Sequence, residues 1–194
     1  YDGTAVRPFK TVSNKTYIWG SDSLGRDVFI RVMYGARMSL LVGVVAAIVN
    51  FVIGVLYGGI AGFCGGRVDN IMMRIVDTIS SIPMMLYVIL LMVVLGPGLQ
   101  SIIIAMGLTY WVGMARIVRS QVLSMREQEF VLAATLLGVP SHKILTRHPI
   151  PNAMGPIMVS ITMQIPSAMF TEAFLSFIGL GVSKPKASWG ALAN

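Results

Sequence analysis

Charge is scarce in this chain. Only 12% of its 194 residues are charged, against about 25% in an ordinary soluble domain. A water-solvated globule is therefore a poor reading of it. Cysteine is almost absent too: Cys64 stands alone. That excludes an internal disulfide and a cysteine-based metal cluster, and leaves Cys64 as a small apolar residue near a span end. The two histidines, His142 and His148, are six apart. Six residues turn a helix by about 240° beyond a full turn, so they share no face and no metal site is expected from this chain alone. There is no GxxxxGK[ST], no HExxH and no Ser/His/Asp arrangement. The chain has no P-loop of its own, so any ATP-driven work needs an ATPase on another chain. The net charge of +7 is scattered rather than gathered into a basic stripe, which speaks against nucleic acid and suits anionic lipid headgroups. The first residue is Tyr1, no signal-peptide pattern follows, and the last stretch is "SWGALAN". The expectation is a piece of a longer membrane subunit.

What is present is apolar length. Hydrophobic residues make up 55% of the chain and the mean hydropathy is +0.76. A spanning helix needs about 20 mainly apolar residues, and four stretches approach this. They are Ser39 to Phe63, Thr78 to Gly96, a run from near Ser101 that continues past Arg116 and Arg119, and about Ala153 to Ala173. The last contains Pro156 and Pro166, and a kink is expected near Pro166. The fold class predicted is all-α, a polytopic transmembrane helical bundle. "GRDVFIRVMYGAR" before the first span reads equally as an interfacial amphipathic helix or as an extension of the span. The connections are "CGGRVDNIMMRIVDTISS" (64–81) and the tight "PGLQ" (97–100). An even span count puts both ends on one side. Eight Lys/Arg lie on that side and seven on the other, so the positive-inside rule does not orient the chain.

Within the spans, Gly54, Gly58 and Gly62 form a small-residue ridge. Such a ridge lets another backbone approach closely, either as static packing or as a joint that slides. Glu172 is expected to be a structural, hydrogen-bonded carboxylate near the far surface; lining of a pathway is the alternative. Asn50 and Gln164 are weaker candidates for the same roles. The fourteen Met residues fill core gaps or face lipid.

One polar segment interrupts this pattern, "EFVLAATLLGVPSHKILTRHPIPN". Phe130, Ala133/Ala134 and Leu137 recur at helical spacing, Gly138 is a natural stop, and Val139-Pro140 starts a new direction. Ser141 can cap a second short helix, "HKILTRH", which Pro149 and Pro151 end. A compact helical knob of this kind suits docking into a partner's groove.

The segment resembles the EAA segment of ABC importer permeases: E-A-A, three residues, G, nine residues, I-x-L-P. Ala133, Ala134, Gly138 and Pro151 fit this spacing, while Leu132 replaces the Glu, and His148 and Ile150 replace Ile and Leu. Glu129 is three residues early, so it inherits no role, although it remains a candidate contact. With "GSDSLGRDVFIRVMYGARMSL", "GGRVDNIMMRIVD" and "TEAFLSFIGLGV", the departures resemble the C-type permease subunits of oligopeptide, dipeptide or nickel importers. The resemblance implies one permease domain over 1–194, lacking the family's first and last spans. An outer arm (1–37) leads into spans (38–181) that include a cytoplasmic coupling segment (125–152), and an outer tail (182–194) follows. It implies a cytoplasmic (inner) membrane of a bacterium or archaeon. It also implies a homologous second permease, two cytoplasmic ABC ATPases carrying the ATP and Mg, a solute-binding protein outside, and no cofactor in this chain. An ion-coupled secondary transporter is the rival, argued against by the lack of repeated broken helices with paired ion ligands. A membrane-embedded hydrolase lacks a catalytic constellation.

Overall fold

The structure, a computed structural model, describes residues 8–12, 15–22, 24–96, 98–140, 143–144, 149–181 and 188–192. A small antiparallel hairpin comes first, β1 (Lys10–Val12) with β2 (Lys15–Tyr17), in the register Lys10↔Tyr17. The elements described after the arm are all helices.

The arm closes on Asp22. Its Oδ1 accepts from the Leu24 and Arg26 amides, both at 2.9 Å, and its Oδ2 accepts from the Arg26 and Arg31 guanidinium groups. Partial burial alone would raise the carboxyl pKa. The Arg26 backbone N–H, its side chain, the Leu24 N–H and the Arg26 charge outweigh that and lower it. A carboxyl depressed on folding stabilises the fold fully above its unfolded pKa, and the stabilisation is lost as pH falls through the folded value. The loop is therefore expected to hold through the ordinary carboxylate range and to loosen only below it. In Asp22→Ala, amide exchange at Leu24 and Arg26 should rise roughly tenfold or more at pH values where the wild-type carboxyl is ionised, since a charged hydrogen bond contributes about 1.5–3 kcal/mol. Unchanged exchange in the variant would remove Asp22 as the clasp.

Asp27 then caps α1 (Val28–Cys64), accepting from the amides of Phe29 and Ile30. This one helix of 37 residues is about 56 Å long, against a hydrocarbon core of about 30 Å. "GRDVFIRVMYGAR" is thus the N-terminal extension of the first span. Its buried side is made of small residues: Gly35, Ser39, Gly43, Ala46, Ala47, Gly54, Gly58, Ala61 and Gly62. Its exposed side carries Leu40, Val44, Ile48, Val52, Leu56 and Ile60. Large apolar residues outside and small ones inside is the membrane arrangement, because close backbone packing rather than water exclusion holds such helices together. Gly65 and Gly66, at φ +63° and +55°, turn the chain sharply.

The segment 64–81 is not an open connection. It forms α2 (Gly66–Ser81), whose Val76 is fully buried among Trp111, Val112 and Ala115. Tyr57 of α1 donates to the Met72 carbonyl at 3.0 Å. Nor is the second span straight. α2 and α3 (Met84–Leu95) meet at Ile82–Pro83 with a bend of 78°. Pro83 offers no N–H, and the residue before a proline is driven extended; Ile82 sits at φ −92°, ψ 122°. Hydroxyls take over the carbonyls freed at the end of α2. Ser80 donates to Asp77 O, Ser81 to Thr78 O and Tyr87 to Ile79 O. A break in an apolar medium must satisfy its backbone in this way.

α4 (Leu99–Thr109) returns beside α3 and runs into α5 (Trp111–Arg126), the two counting as one continuous 28-residue stretch. α6 (Glu129–Leu136), α7 (Pro149–Asn152) and α8 (Met154–Phe177) follow. The helix α8 runs unbroken through Pro166. α9 (Trp189–Leu192) folds back, with Trp189 Nε1 donating to Val32 O at 3.2 Å and Gly190 wedged against the Ala173 backbone. α1 is the central helix, flanked by α5 and α8, and Val42, Ala46, Val88, Ile102, Met106, Ala168 and Leu175 share one core.

Among the described residues two helices, α1 and α4–α5, are long and apolar enough to cross a membrane, and the bent α2–α3 pair makes a third if it counts as one span. α8 has the length at 24 residues, but Gln164, Pro166 and Glu172 dilute it. The four expected stretches are present as helices, while the count of four spans is not established.

Candidate functional site

The polar segment is built on α6 and its corner. Leu137 ends the helix and Gly138 takes φ +74°. The Gly138 amide donates to Thr135 O at 3.0 Å and the Val139 amide to Ala134 O at 3.1 Å. These two bonds make a Schellman turn, which needs the left-handed residue that glycine supplies most readily. Val131 is the buried anchor of α6, and Thr135 Oγ1 donates back to its carbonyl. The stripe of Phe130, Ala133/Ala134 and Leu137 does not pack inward: Phe130 and Leu137 are exposed, and so are Leu132 and Leu136 beside it, Leu136 by 88%. Ala133 is exposed and Ala134 half-buried. Glu129 lies exposed in the first turn and, with Ser124, Glu127, Gln128 and Phe130, lines an open concavity of about 600 Å³.

Beyond the corner, Lys143 and Ile144 turn on the Pro140 carbonyl, and Ile144 is buried. His148, Ser141 and most of the expected "HKILTRH" helix lie outside the described residues. Pro149 and Pro151 stand in the short helix α7, where a missing N–H costs nothing in the first turn, and the helix they were expected to end lies mostly outside the described residues. Pro149 is buried and Pro151 exposed. Ile150 packs with Val118, Val122, Ala153 and Ile157, so the segment is seated on α5 at one end and α8 at the other.

Arg126 joins this knob to the rest of the bundle. Its Nη1 donates to Phe63 O at 3.1 Å, at the C-terminus of α1, and its guanidinium fills the space a Cβ on Gly65 would take. A cation there complements the helix dipole. Asp69 and Arg119 add a two-armed ion pair between α2 and α5, with Nε–Oδ1 at 2.6 Å. Sequence reasoning assigned neither pair. The partners stand 63 and 50 residues apart, so no local pattern announces them.

The three ridge glycines face α5. A Cβ on Gly54 would come to 2.5 Å from Met114 Cβ, and one on Gly62 to 2.8 Å from Arg119 O. A Cβ on Gly58 would overlap the Ala115 carbonyl oxygen. Glu172 is fully buried and accepts from Ser39 Oγ at 3.0 Å and Ser176 Oγ at 2.7 Å. It lies level with Ser39, where the first apolar run begins. Asn50 is buried with neither amide atom hydrogen-bonded. Gln164 is half-buried on α8. Nothing brings Glu172, Asn50 and Gln164 together by a hydrogen bond.

Comparison with known proteins gives this architecture relatives. Residues 51–194 match the family described as "Binding-protein-dependent transport system inner membrane component". The dipeptide transport system permease protein DppC of Bacillus subtilis (strain 168) is 55% identical over 176 residues, 91% of this chain and 55% of the relative. The oligopeptide transport system permease protein OppC of the same strain is 54% identical over 181 residues, covering 93% of this chain and 59% of its own. OppC of Escherichia coli (strain K12) is 46% identical over 178 residues, 92% of this chain and 59% of that protein. The chain thus spans a little over half the length of these relatives. With the family match covering most of the helices described above, this membrane protein belongs to the binding-protein-dependent transport system inner membrane components.

Proposed function

We propose that the chain is one permease half of an ATP-driven peptide importer. ATP is hydrolysed by two partner ATPases, and a second permease completes the pathway. The observation that carries the reading is the knob itself. A charged segment meant only to link two spans has no use for exposed leucines beside a hydrogen-bonded corner, and an exposed apolar patch marks a partner site. The relatives' names, dipeptide and oligopeptide permeases, support a peptide cargo, delivered by a solute-binding protein on the outer side.

In this mechanism ATP binding closes the ATPases and the knob moves with them. Its seats on α5 and α8, and the Arg126 contact with the end of α1, pass that movement to the spans as a rigid push. The glycine ridge between α1 and α5 is the joint across which they shift, and access to the pathway alternates.

Glu129 tests the docking. It stands in the concavity beside α6, and reversing its charge should weaken ATPase binding by about fivefold or more, chiefly through the association rate. Titrating detergent-solubilised Glu129→Lys permease with the ATPases reads this directly; wild-type affinity would remove Glu129 from the interface. Cargo is tested by adding ligand-loaded binding proteins one at a time. ATPase stimulation by a peptide-loaded protein supports the reading, and stimulation only by a nickel-loaded one replaces it with a metal importer. The broken α2–α3 helix favours one rival, since ion-coupled secondary transporters build sites at such breaks. Uptake driven by an ion gradient with no ATPase present would establish that rival.

A further inference from the structure

The polar face of α2 is used by nothing described so far. An open cleft of about 800 Å³ runs along it, lined by Asn70, Met73, Arg74, Asp77, Thr78 and Ser81. Arg116 reaches in from α5, donating to Asp77 Oδ1 and Ser80 Oγ, both at 2.8 Å. Both members of this ion pair are exposed, Arg116 by 47% and Asp77 by 67% of the side chain, and Asp77 lines the cleft. Arg74 is exposed as well, and among the described residues its guanidinium has no hydrogen bond or ion pair.

These charges are not at the end of the bundle. Arg116 precedes Arg126 by ten residues, about 15 Å along α5, and Arg126 marks the end of α1. Arg116 is next to Ala115, which packs on Gly58, and on α1 at that level Leu56 and Ile60 expose bare apolar side chains. Exposed charge at the depth of an apolar belt is stable only where it faces water or a polar partner. The cleft also lies against the 78° break between α2 and α3, and breaks in spanning helices are tolerated where they line a cavity.

We infer that this cleft is a solute-contact site in the translocation pathway, where Arg74 pairs with the carboxylate of a passing zwitterionic solute. Charge complementarity selects that ligand. Arg74 and Asp77 are the charged residues that line the cleft, and Arg116 offsets the Asp77 carboxylate, so the balance is cationic. Arg116 is held by Asp77 and Ser80, which leaves Arg74 as the free fork for a carboxylate. Thr78 and Ser81 give their hydroxyl protons to carbonyls of their own helix, so the N–H groups of Arg74 and Asn70 are the donors on offer. Asp77 uses Oδ1 on Arg116, and its Oδ2 can meet the solute's ammonium group. The inference rests on the importer reading and names the site within it.

The test uses the full-length chain in its assembled complex, in discs of phosphatidylcholine alone, with Cys64→Ser removing the native thiol. Single cysteines are placed in the cleft (Thr78→Cys, Ser81→Cys) and on the apolar face of α1 (Leu56→Cys, Ile60→Cys). Water-soluble thiol reagents of opposite charge are then compared. The cleft cysteines should label and the α1 cysteines should not. The anionic reagent should gain about fivefold over the cationic one, because a charged cleft concentrates counter-ions. Arg74→Gln should abolish that bias, and a free-carboxylate dipeptide should slow labelling where its C-terminal amide does not. Labelling no faster in the cleft than at Leu56→Cys, or a bias untouched by Arg74→Gln, overturns the inference. Protection by added anionic lipid but not by dipeptide also overturns it, and assigns the cleft to headgroups. ATP-driven peptide uptake is measured with the complex without cysteine substitutions, in sealed vesicles of the same lipid. Its absence counts against the importer reading and leaves the charge bias to judge the cleft.

Discussion

Gly138→Leu is expected to abolish uptake, by at least about tenfold, while the permease still assembles in the membrane. The loss comes from backbone conformation rather than from crowding. Among the described residues nothing beyond its chain neighbours lies within 4 Å of where a Cβ would stand, yet φ is +74°. A left-handed backbone costs an ordinary L-residue about 1–2 kcal/mol, and Leu would shed that strain by leaving the turn. The Gly138–Thr135 and Val139–Ala134 bonds go with it, and α6 loses its fixed angle to α7. A push delivered to α6 would then bend the corner instead of moving α5 and α8. Gly138→Asn separates conformation from bulk, since Asn tolerates the left-handed region while adding volume. It should keep most of the uptake. Wild-type uptake by Gly138→Leu, in vesicles with equal amounts of assembled permease, would sink the coupling role of the corner.

Gly58→Leu should fail earlier, at folding. A Cβ on Gly58 overlaps the Ala115 carbonyl oxygen and closes on the Ala115 Cα and carbonyl carbon, each at 3.0 Å. Every one of those atoms is backbone, so no rotamer change relieves the contact, and α1 and α5 must separate. That separation would also part Arg126 from Phe63, the hydrogen bond that bridges the same two helices. An overpacked, well-fitted site costs about 1–3 kcal/mol or more. The variant should show strongly reduced membrane yield and a lower thermal midpoint in detergent. Gly66→Ala is the comparison: nothing lies within 4 Å of its Cβ position, so its effect is limited to φ. Normal yield of Gly58→Leu would mean that the α1–α5 contact is looser than the geometry requires.

The two glycines differ in how they could be found. Gly54, Gly58 and Gly62 repeat every four residues in an apolar run, and that spacing alone places them on one helical face. Gly138 is legible because it stands between a helical pattern and Val-Pro. The arm, the connection at 64–81 and the second span were harder. Apolar counting starts the second span at Thr78, yet Pro83 breaks the helix there and the polar stretch before it packs as α2. Periodicity also drew Phe130, Ala134 and Leu137 as a stripe without saying which way it points. Val131 proved to be the buried residue, and the leucines face out. Pro149 and Pro151 fall in the first turn of α7, a place that suits proline because the first N–H groups of a helix have no partner to lose.

Composition, apolar run length and motif spacing are properties of consecutive residues. From them alone followed a helical membrane protein, the place of its polar knob and the type of permease it resembles. The pairs that tie the bundle together join residues far apart in the chain: Asp69–Arg119, Arg116–Asp77, Arg126–Phe63 and Ser39–Glu172. Whether a lone arginine or glutamate in a greasy sequence is buried and bonded, or open to a cleft, depends on which helix lands beside it. Packing alone encloses Glu172 between two serines and leaves Arg74 exposed, with no ion pair among the described residues. A buried carboxylate is stable only where hydrogen bonds satisfy it, and a charge stays unpaired only where it faces water or a polar partner.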